Sequence, residues 1–97
     1  MFGLKDKTVK DIATILKSNK KIKNATLFGS RAKGDYRDGS DIDISLKADD
    51  LKLSELNILK IKIDNLMLPY KVDLIDFSKI KNCQLKEHIN RVGKSII

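Results

Sequence analysis

Asp41 and Asp43, two aspartates separated by one residue, are the residues whose types and spacing most clearly suit chemistry. They open a segment of alternating polar and apolar residues that predicts a β-strand over residues 41–47. Because side chains on a strand alternate between its two faces, both carboxylates should point the same way. Neighbouring carboxylates repel each other unless a divalent cation neutralises them. The pair therefore predicts a site for Mg²⁺, which prefers oxygen ligands.

A turn rich in small residues precedes this strand. Residues 25–28 predict another strand, which runs directly into Gly29-Ser30. Gly29 permits a close backbone approach, and Ser30 offers a hydroxyl and a backbone N–H group to phosphate oxygens. Magnesium ligands beside a phosphate-binding turn are the components of a phosphoryl or nucleotidyl transfer site.

This arrangement resembles the signature of the DNA polymerase beta-like nucleotidyltransferases, in which a Gly-Ser turn is followed at this spacing by Asp-x-Asp. Here the turn is Gly29-Ser30, and Asp41-Ile42-Asp43 follows after ten residues. Val72-Asp73-Leu74 matches the strand that carries the third aspartate of the family. Within the superfamily the chain is most similar to the minimal nucleotidyltransferases, the MNT group, over residues 24–94.

The resemblance implies roles for individual residues. Asp41, Asp43 and Asp73 would hold one or two magnesium ions, and Asp73 would also orient or deprotonate the acceptor hydroxyl. Asp76 is not assigned to the magnesium site, since strand alternation places it on the opposite face from Asp73. The implied contacts to the nucleotide phosphates are Gly29, Ser30, Lys33 and Arg31. For the two basic residues, a solvated surface position remains the alternative.

The resemblance also implies an activity and a partner. Members of the MNT group transfer AMP from ATP and act as antitoxins, by binding and adenylylating a small all-helical HEPN-type protein. We therefore expect the antitoxin half of such a pair in a hetero-oligomer, with a homodimer also open. Two other functions remain: a transferase for a small molecule such as an antibiotic, completed by a partner subunit, and a non-catalytic binding module that neutralises its partner.

Composition narrows the class of protein. The 97 residues, 41% of them hydrophobic, suffice for one small core, so we expect a single domain over residues 1–97. One cysteine and one histidine exclude a disulfide framework and a zinc site. There is no long apolar run and no signal-peptide pattern, so we expect a cytoplasmic protein without a membrane partner.

The net charge of +7 favours anionic partners such as nucleotides, nucleic acid or an acidic protein. The lysines are spread along the chain and are not interleaved with aromatic residues. A solvated lysine surface is therefore the alternative, and the charge does not require a nucleic-acid partner.

Periodicity predicts helices over residues 8–20, 52–67 and 84–91, and a third strand over residues 71–76. The fold class is thus α/β, of α+β type, with a three-stranded sheet and helices mainly on one face. The resemblance adds that the sheet is mixed, as in the polymerase beta-like fold. The predicted core stripe of the middle helix is Leu53, Leu56, Leu59, Ile63, Leu66 and Met67.

Ile58 and Ile61 lie outside this stripe, on the far side of the same helix. An exposed apolar pair is often innocuous, and burial under the C-terminal helix is a second simple explanation. The third is a contact surface for the helical partner or for a second copy of the chain.

Overall fold

The structure is a computed structural model that describes residues 6–29 and 41–97. Its helices are α1 (Asp6–Lys17), α2 (Leu53–Asp64) and α3 (Cys83–Val92), and a single turn of 3-10 helix spans Phe77–Lys79. Its strands are β1 (Ile22–Phe28), β2 (Ile42–Ala48), β3 (Val72–Asp76) and β4 (Lys94–Ser95). None of these helices is long and apolar enough to cross a membrane.

The strands form one mixed sheet in the order β3-β2-β1-β4. β2 runs parallel to β3, while β1 is antiparallel to both β2 and β4. The predicted α/β class and mixed sheet are confirmed, but the sheet has four strands where three were predicted. The fourth contains only Lys94 and Ser95, which pair with Leu27 and Thr26 of β1. Two residues are too short to show strand periodicity in the sequence.

Strand alternation divides the sheet into two different faces. On one face Ile42, Ile44 and Leu46 of β2 are fully buried and belong to the main core. The buried residues of α1 and α2 that complete this core are Ile12, Leu16, Leu59 and Ile63. On the other face α3 covers a smaller cluster, formed by Phe28, Ile80 and Ile89 with Ile75, Phe77 and Leu85 around it. Two of the three described helices therefore lie on one face, as predicted.

The ends of α1 and β1 differ from the prediction. α1 ends at Lys17, three residues early, because the Ser18 and Asn19 N–H groups donate to Ile15 and Leu16 in a closing turn. Asn19 Oδ1 then accepts from the Lys21 N–H at 2.9 Å. β1 begins at Ile22, three residues before the predicted start, because β2 is long enough to pair Ile22 with Ala48.

The middle helix is shorter than predicted, since α2 ends at Asp64 and not at residue 67. Met67 has a left-handed backbone conformation (φ 55°) and a side chain that is 86% exposed. Leu53 is 64% exposed, so both were wrong as core residues, whereas Leu59 and Ile63 are buried as predicted. A helical stripe cannot extend beyond the last helical turn, and Leu53 occupies the first position of α2.

Ile58 and Ile61 are 52% and 59% exposed. Burial of this pair under the C-terminal helix was therefore a wrong explanation. The physical reason is that α3 packs on the opposite face of the sheet from α2.

Candidate active site

The sheet brings two of the predicted site carboxylates together. Asp43 of β2 and Asp73 of β3 are paired in register on adjacent parallel strands, which lie about 4.8 Å apart. Residues paired in this way direct their side chains to the same face. Both are partly accessible, with the Asp73 side chain 42% exposed. Two carboxylates from distant parts of the sequence thus lie side by side at one end of the sheet.

Asp41 is the third predicted member. It is exposed and lies immediately before β2, two residues from Asp43 and therefore on the same side of the chain. Burial raises the pKa of the Asp43 carboxyl above its ordinary value, and the charges of Asp73 and Asp41 raise it further. The cluster is therefore unfavourable for the ionised protein alone.

The three carboxylates can be compared with the requirements of a metal site. Within residues 6–29 and 41–97, no three His, Cys, Asp or Glu side chains converge closely enough to hold a metal ion as they stand. The chemistry of the donor set still fits Mg²⁺, because a divalent cation would relieve the repulsion that raises the pKa of Asp43. Asp41 is exposed, so burial does not fix the position of its side chain.

Gly29 lies directly against this cluster. It follows Phe28, which pairs with Asp43 across β1 and β2. Its φ of +79° is in the left-handed region, and a Cβ added to it would lie 2.7 Å from Asp43 Oδ2. Only glycine fits here without displacing the carboxylate. The backbone leading into the predicted phosphate-binding turn therefore passes over Asp43. Ser30, Arg31 and Lys33 lie outside the described residues.

Lys71 is a neighbour of the site to which the sequence reasoning gave no role. Its Nζ lies 4.0 Å from Asp73 Oδ1, and the two side chains are 72% and 42% exposed. The signal was present in the sequence, because strand alternation puts residues 71 and 73 on one face. Lys71 places one positive charge beside three carboxylates.

Asp76 shows what a carboxylate on the opposite face does. It is buried, with 5% of its surface exposed, and its Oδ1 accepts hydrogen bonds from the Ser78 N–H at 3.0 Å and the Ser78 hydroxyl at 2.7 Å. These bonds cap the 3-10 turn that follows β3. Asp76 therefore has a structural role, apart from the carboxylate cluster.

Comparison with protein families places this geometry in context. The family described as "Polymerase beta, Nucleotidyltransferase" matches residues 10–97. The match spans all the described carboxylates of the cluster and Gly29.

A curated relative from Methanocaldococcus jannaschii is named as a candidate protein adenylyltransferase, MJ1379. It is 36% identical to this chain, and the match covers 86% of this chain and 92% of the relative. Similarity of this extent over nearly the whole relative supports the same family.

Solved structures show the same fold. A chain in the crystal structure of a toxin–antitoxin complex with AMP-PNP superposes with a TM-score of 0.76 at 28% identity, over 92% of this chain and 72% of that chain. A chain in the crystal structure of the toxin–antitoxin MntA-HepT gives a TM-score of 0.73 at 25% identity, over 96% of this chain and 72% of that chain.

Proposed function

This chain belongs to the polymerase beta nucleotidyltransferase family, and from that premise we propose that it transfers AMP from ATP to a hydroxyl side chain of a HEPN-type partner and so acts as an antitoxin. The observation that carries the proposal is the carboxylate pair Asp43 and Asp73, with the backbone of Gly29 against Asp43. A costly cluster of carboxylates beside a glycine turn suits a bound metal–triphosphate better than it suits the fold.

Asp41, Asp43 and Asp73 are the residues that we assign to magnesium binding, with one or two ions. When bound, magnesium would neutralise the carboxylates and the triphosphate and would stabilise the charge on departing pyrophosphate. Gly29 leaves room for phosphate oxygens next to Asp43, and Ser30, Lys33 and Arg31 are proposed to bind them.

Asp73 is assigned to the acceptor. The acceptor hydroxyl oxygen attacks the α-phosphorus of ATP, and the bond from that phosphorus to the β-phosphate oxygen breaks as pyrophosphate leaves. Asp73 orients the hydroxyl and accepts its proton. Lys71, 4.0 Å from Asp73, would hold that carboxylate in place before the substrate arrives.

The identity of the nucleotide and of the partner is supported by the relatives. MJ1379 is named for adenylyl transfer to protein, and one structural relative is a toxin–antitoxin complex with an ATP analogue. The resemblance of the site residues to the MNT group points to the same pairing.

The test is co-expression of this chain with the protein encoded by the adjacent gene, followed by intact-mass spectrometry of that protein. We expect an added mass of one or more AMP groups that depends on Mg²⁺ and on Asp43. The matched control is Asp49→Asn, which removes an exposed carboxylate from a surface ion pair with Lys23 and should leave transfer unchanged. If both proteins are folded and no AMP adduct is found, adenylylation of that protein is contradicted. Transfer to an antibiotic would then favour the small-molecule alternative.

A further inference from the structure

α2 presents a second apolar surface. In the described part of the chain, the large hydrophobic side chains that are exposed are Leu53 (64%), Ile58 (52%), Ile61 (59%) and Met67 (86%). Three of these lie on α2, and Met67 lies three residues beyond its end. α1 and α3 contribute none. α2 therefore buries one apolar side in the core and exposes another.

This exposed side is also uncharged at its centre. At 100° per residue, one arc of the helix and its cap contains Ser54, Asn57, Ile58, Ile61 and Asn65, which we call the α2 outer face. All five are exposed, and two exposed charged residues, Asp64 and Lys62, border the arc on its two sides. A solvated helix face usually carries charged residues, and 34% of this chain is charged. An exposed face without charge is typical of a surface that docks another molecule.

A groove adjoins the α2 outer face. It encloses about 270 Å³ between α2 and the turn that follows α1. Ile58 and Leu59 line the groove together with Lys20 and Lys62. Glu55 also lines the groove, but Lys21 and Asn19 bind its carboxylate at 2.7 Å and 2.9 Å. The groove thus combines an apolar surface with two exposed lysines for which the described residues provide no ion-pair partner.

We propose that the α2 outer face and this groove dock the partner protein, through a helical surface that is apolar at its centre and acidic on the side that meets the groove. The proposal rests on the proposed function, since it specifies how the partner of that function is held. A helix with apolar residues at i and i+3 packs well against another helix, and carboxylates would complement Lys20 and Lys62. A second copy fits poorly, because two chains of net charge +7 would bring the same lysines together across an isologous interface.

The docking surface and the carboxylate cluster lie on opposite faces of the sheet. α2 packs on the face formed by Ile42, Ile44 and Leu46, whereas Asp43 and Asp73 point to the other. A partner on α2 therefore leaves the carboxylates uncovered, and transfer requires a further contact that brings the acceptor hydroxyl to Asp73. Binding and transfer become separable properties of this chain.

The experiment measures the affinity of purified chain for the protein encoded by the adjacent gene, by titration calorimetry. Ile58→Asp with Ile61→Asp should weaken binding by on the order of 100-fold, as expected for charges introduced at the centre of an interface. The matched control is Gln84→Asp with Asn90→Asp, which adds the same charges at exposed positions of α3 and should bind like wild type.

A second double variant tests the same surface in case the first one does not fold. Lys20→Glu with Lys62→Glu leaves the apolar residues in place and should weaken binding on the order of tenfold, with a reduced dependence on salt. Wild-type affinity in both double variants overturns the docking surface and leaves the proposed function standing. A wild-type chain that does not bind the adjacent protein overturns both. Sedimentation showing a wild-type dimer that Ile58→Asp with Ile61→Asp converts to a monomer assigns the surface to a second copy and overturns the choice of occupant.

Discussion

Two carboxylates of this chain have opposite electrostatic surroundings. Glu55 of α2 accepts hydrogen bonds from Lys21 at 2.7 Å and Asn19 at 2.9 Å, and these donors hold the pKa of its carboxyl at about 2. Asp43 of β2 is partly buried beside Asp73 and Asp41, and burial with these like charges raises its pKa. The first environment favours the ionised carboxylate, and the second disfavours it.

The difference distinguishes a carboxylate that stabilises the fold from one that is expected to bind a ligand. Glu55 links α2 to the turn after α1, so its favourable contacts are complete within the chain. Among the described residues, Asp43 has no such contacts to offset its burial, and the charges of Asp73 and Asp41 make its ionisation harder. Carboxylates in that position are expected at sites where a cation binds.

The largest expected effect is loss of transfer in Asp43→Asn. An amide of the same shape cannot supply the negative charge that holds a divalent ion, so AMP transfer should fall by on the order of 1,000-fold. The measurement is transfer of labelled AMP from ATP to the co-purified adjacent protein. Glu55→Gln, the contrasting variant, should retain transfer at a temperature where it is folded. An equal loss of AMP transfer in the two variants would contradict the proposed distinction between the two carboxylates.

Gly29→Ala should give the next largest effect. The new Cβ would lie 2.7 Å from Asp43 Oδ2 at a φ of +79°, so the variant combines a clash with backbone strain. We expect on the order of 100-fold less transfer. The free energy of unfolding should fall by about 1–2 kcal/mol from the backbone conformation alone, measured by urea denaturation.

A double variant tests the origin of that loss. In an Asp43→Ala background the contacted carboxylate is absent, so Gly29→Ala should lower the free energy of unfolding only by the backbone strain. If Gly29→Ala lowers it equally in both backgrounds, residue 29 does not contact the Asp43 carboxylate, and the close approach of the turn to the cluster is wrong.

The Glu55 side of the comparison predicts an acid-sensitive contribution to stability. The pKa of Glu55 lies at about 2 in the folded chain, against an ordinary value of 4.5. The contribution of Glu55 to the free energy of unfolding is therefore fully present above about pH 4.5 and is lost as the pH falls toward 2. Glu55→Gln should lower the melting temperature at pH 7, and its difference from wild type should shrink through that window. Glu87→Gln, which removes a 3.8 Å exposed pair with Arg91, should barely change melting at any pH.

These contrasts show how far sequence alone could go. Strand alternation sufficed to place Asp41 and Asp43 on one face and Asp76 opposite Asp73, because a period of two is imposed by backbone geometry. The position of Asp73 beside Asp43 depends on the register of β2 and β3, which only the family resemblance implied. The partners of Glu55 lie 34 and 36 residues away in the sequence, and no local pattern reports such a contact. β4 was missed for the same reason: its two residues become a strand only because β1 offers them an edge.

The α2 errors have a different cause. Periodicity placed Leu53 and Met67 on the buried stripe, but it does not report where a helix begins and ends. Leu53 is the first residue of α2 and Met67 follows its end, so both are exposed. Leu59 and Ile63, which lie within the helix, are in the core as predicted.

The smallest predicted effect is a gain in stability from Asp43→Asn in metal-free protein. Because the folded pKa of Asp43 is raised above its unfolded value, the wild-type chain gains stability as the pH falls through the folded pKa and loses it as the pH rises. Asparagine carries no charge, so the variant should unfold at higher urea concentration than wild type at pH 7. The gain should vanish below the unfolded pKa of the carboxyl, ordinarily about 3.9, where wild type is protonated in both states.

Adding Mg²⁺ should reverse the order of the two stabilities at pH 7, because only wild type can bind the ion through this carboxylate. The measurement is urea denaturation with EDTA or with Mg²⁺ across this pH range. A variant less stable than wild type in EDTA would mean that Asp43, like Glu55, stabilises the fold.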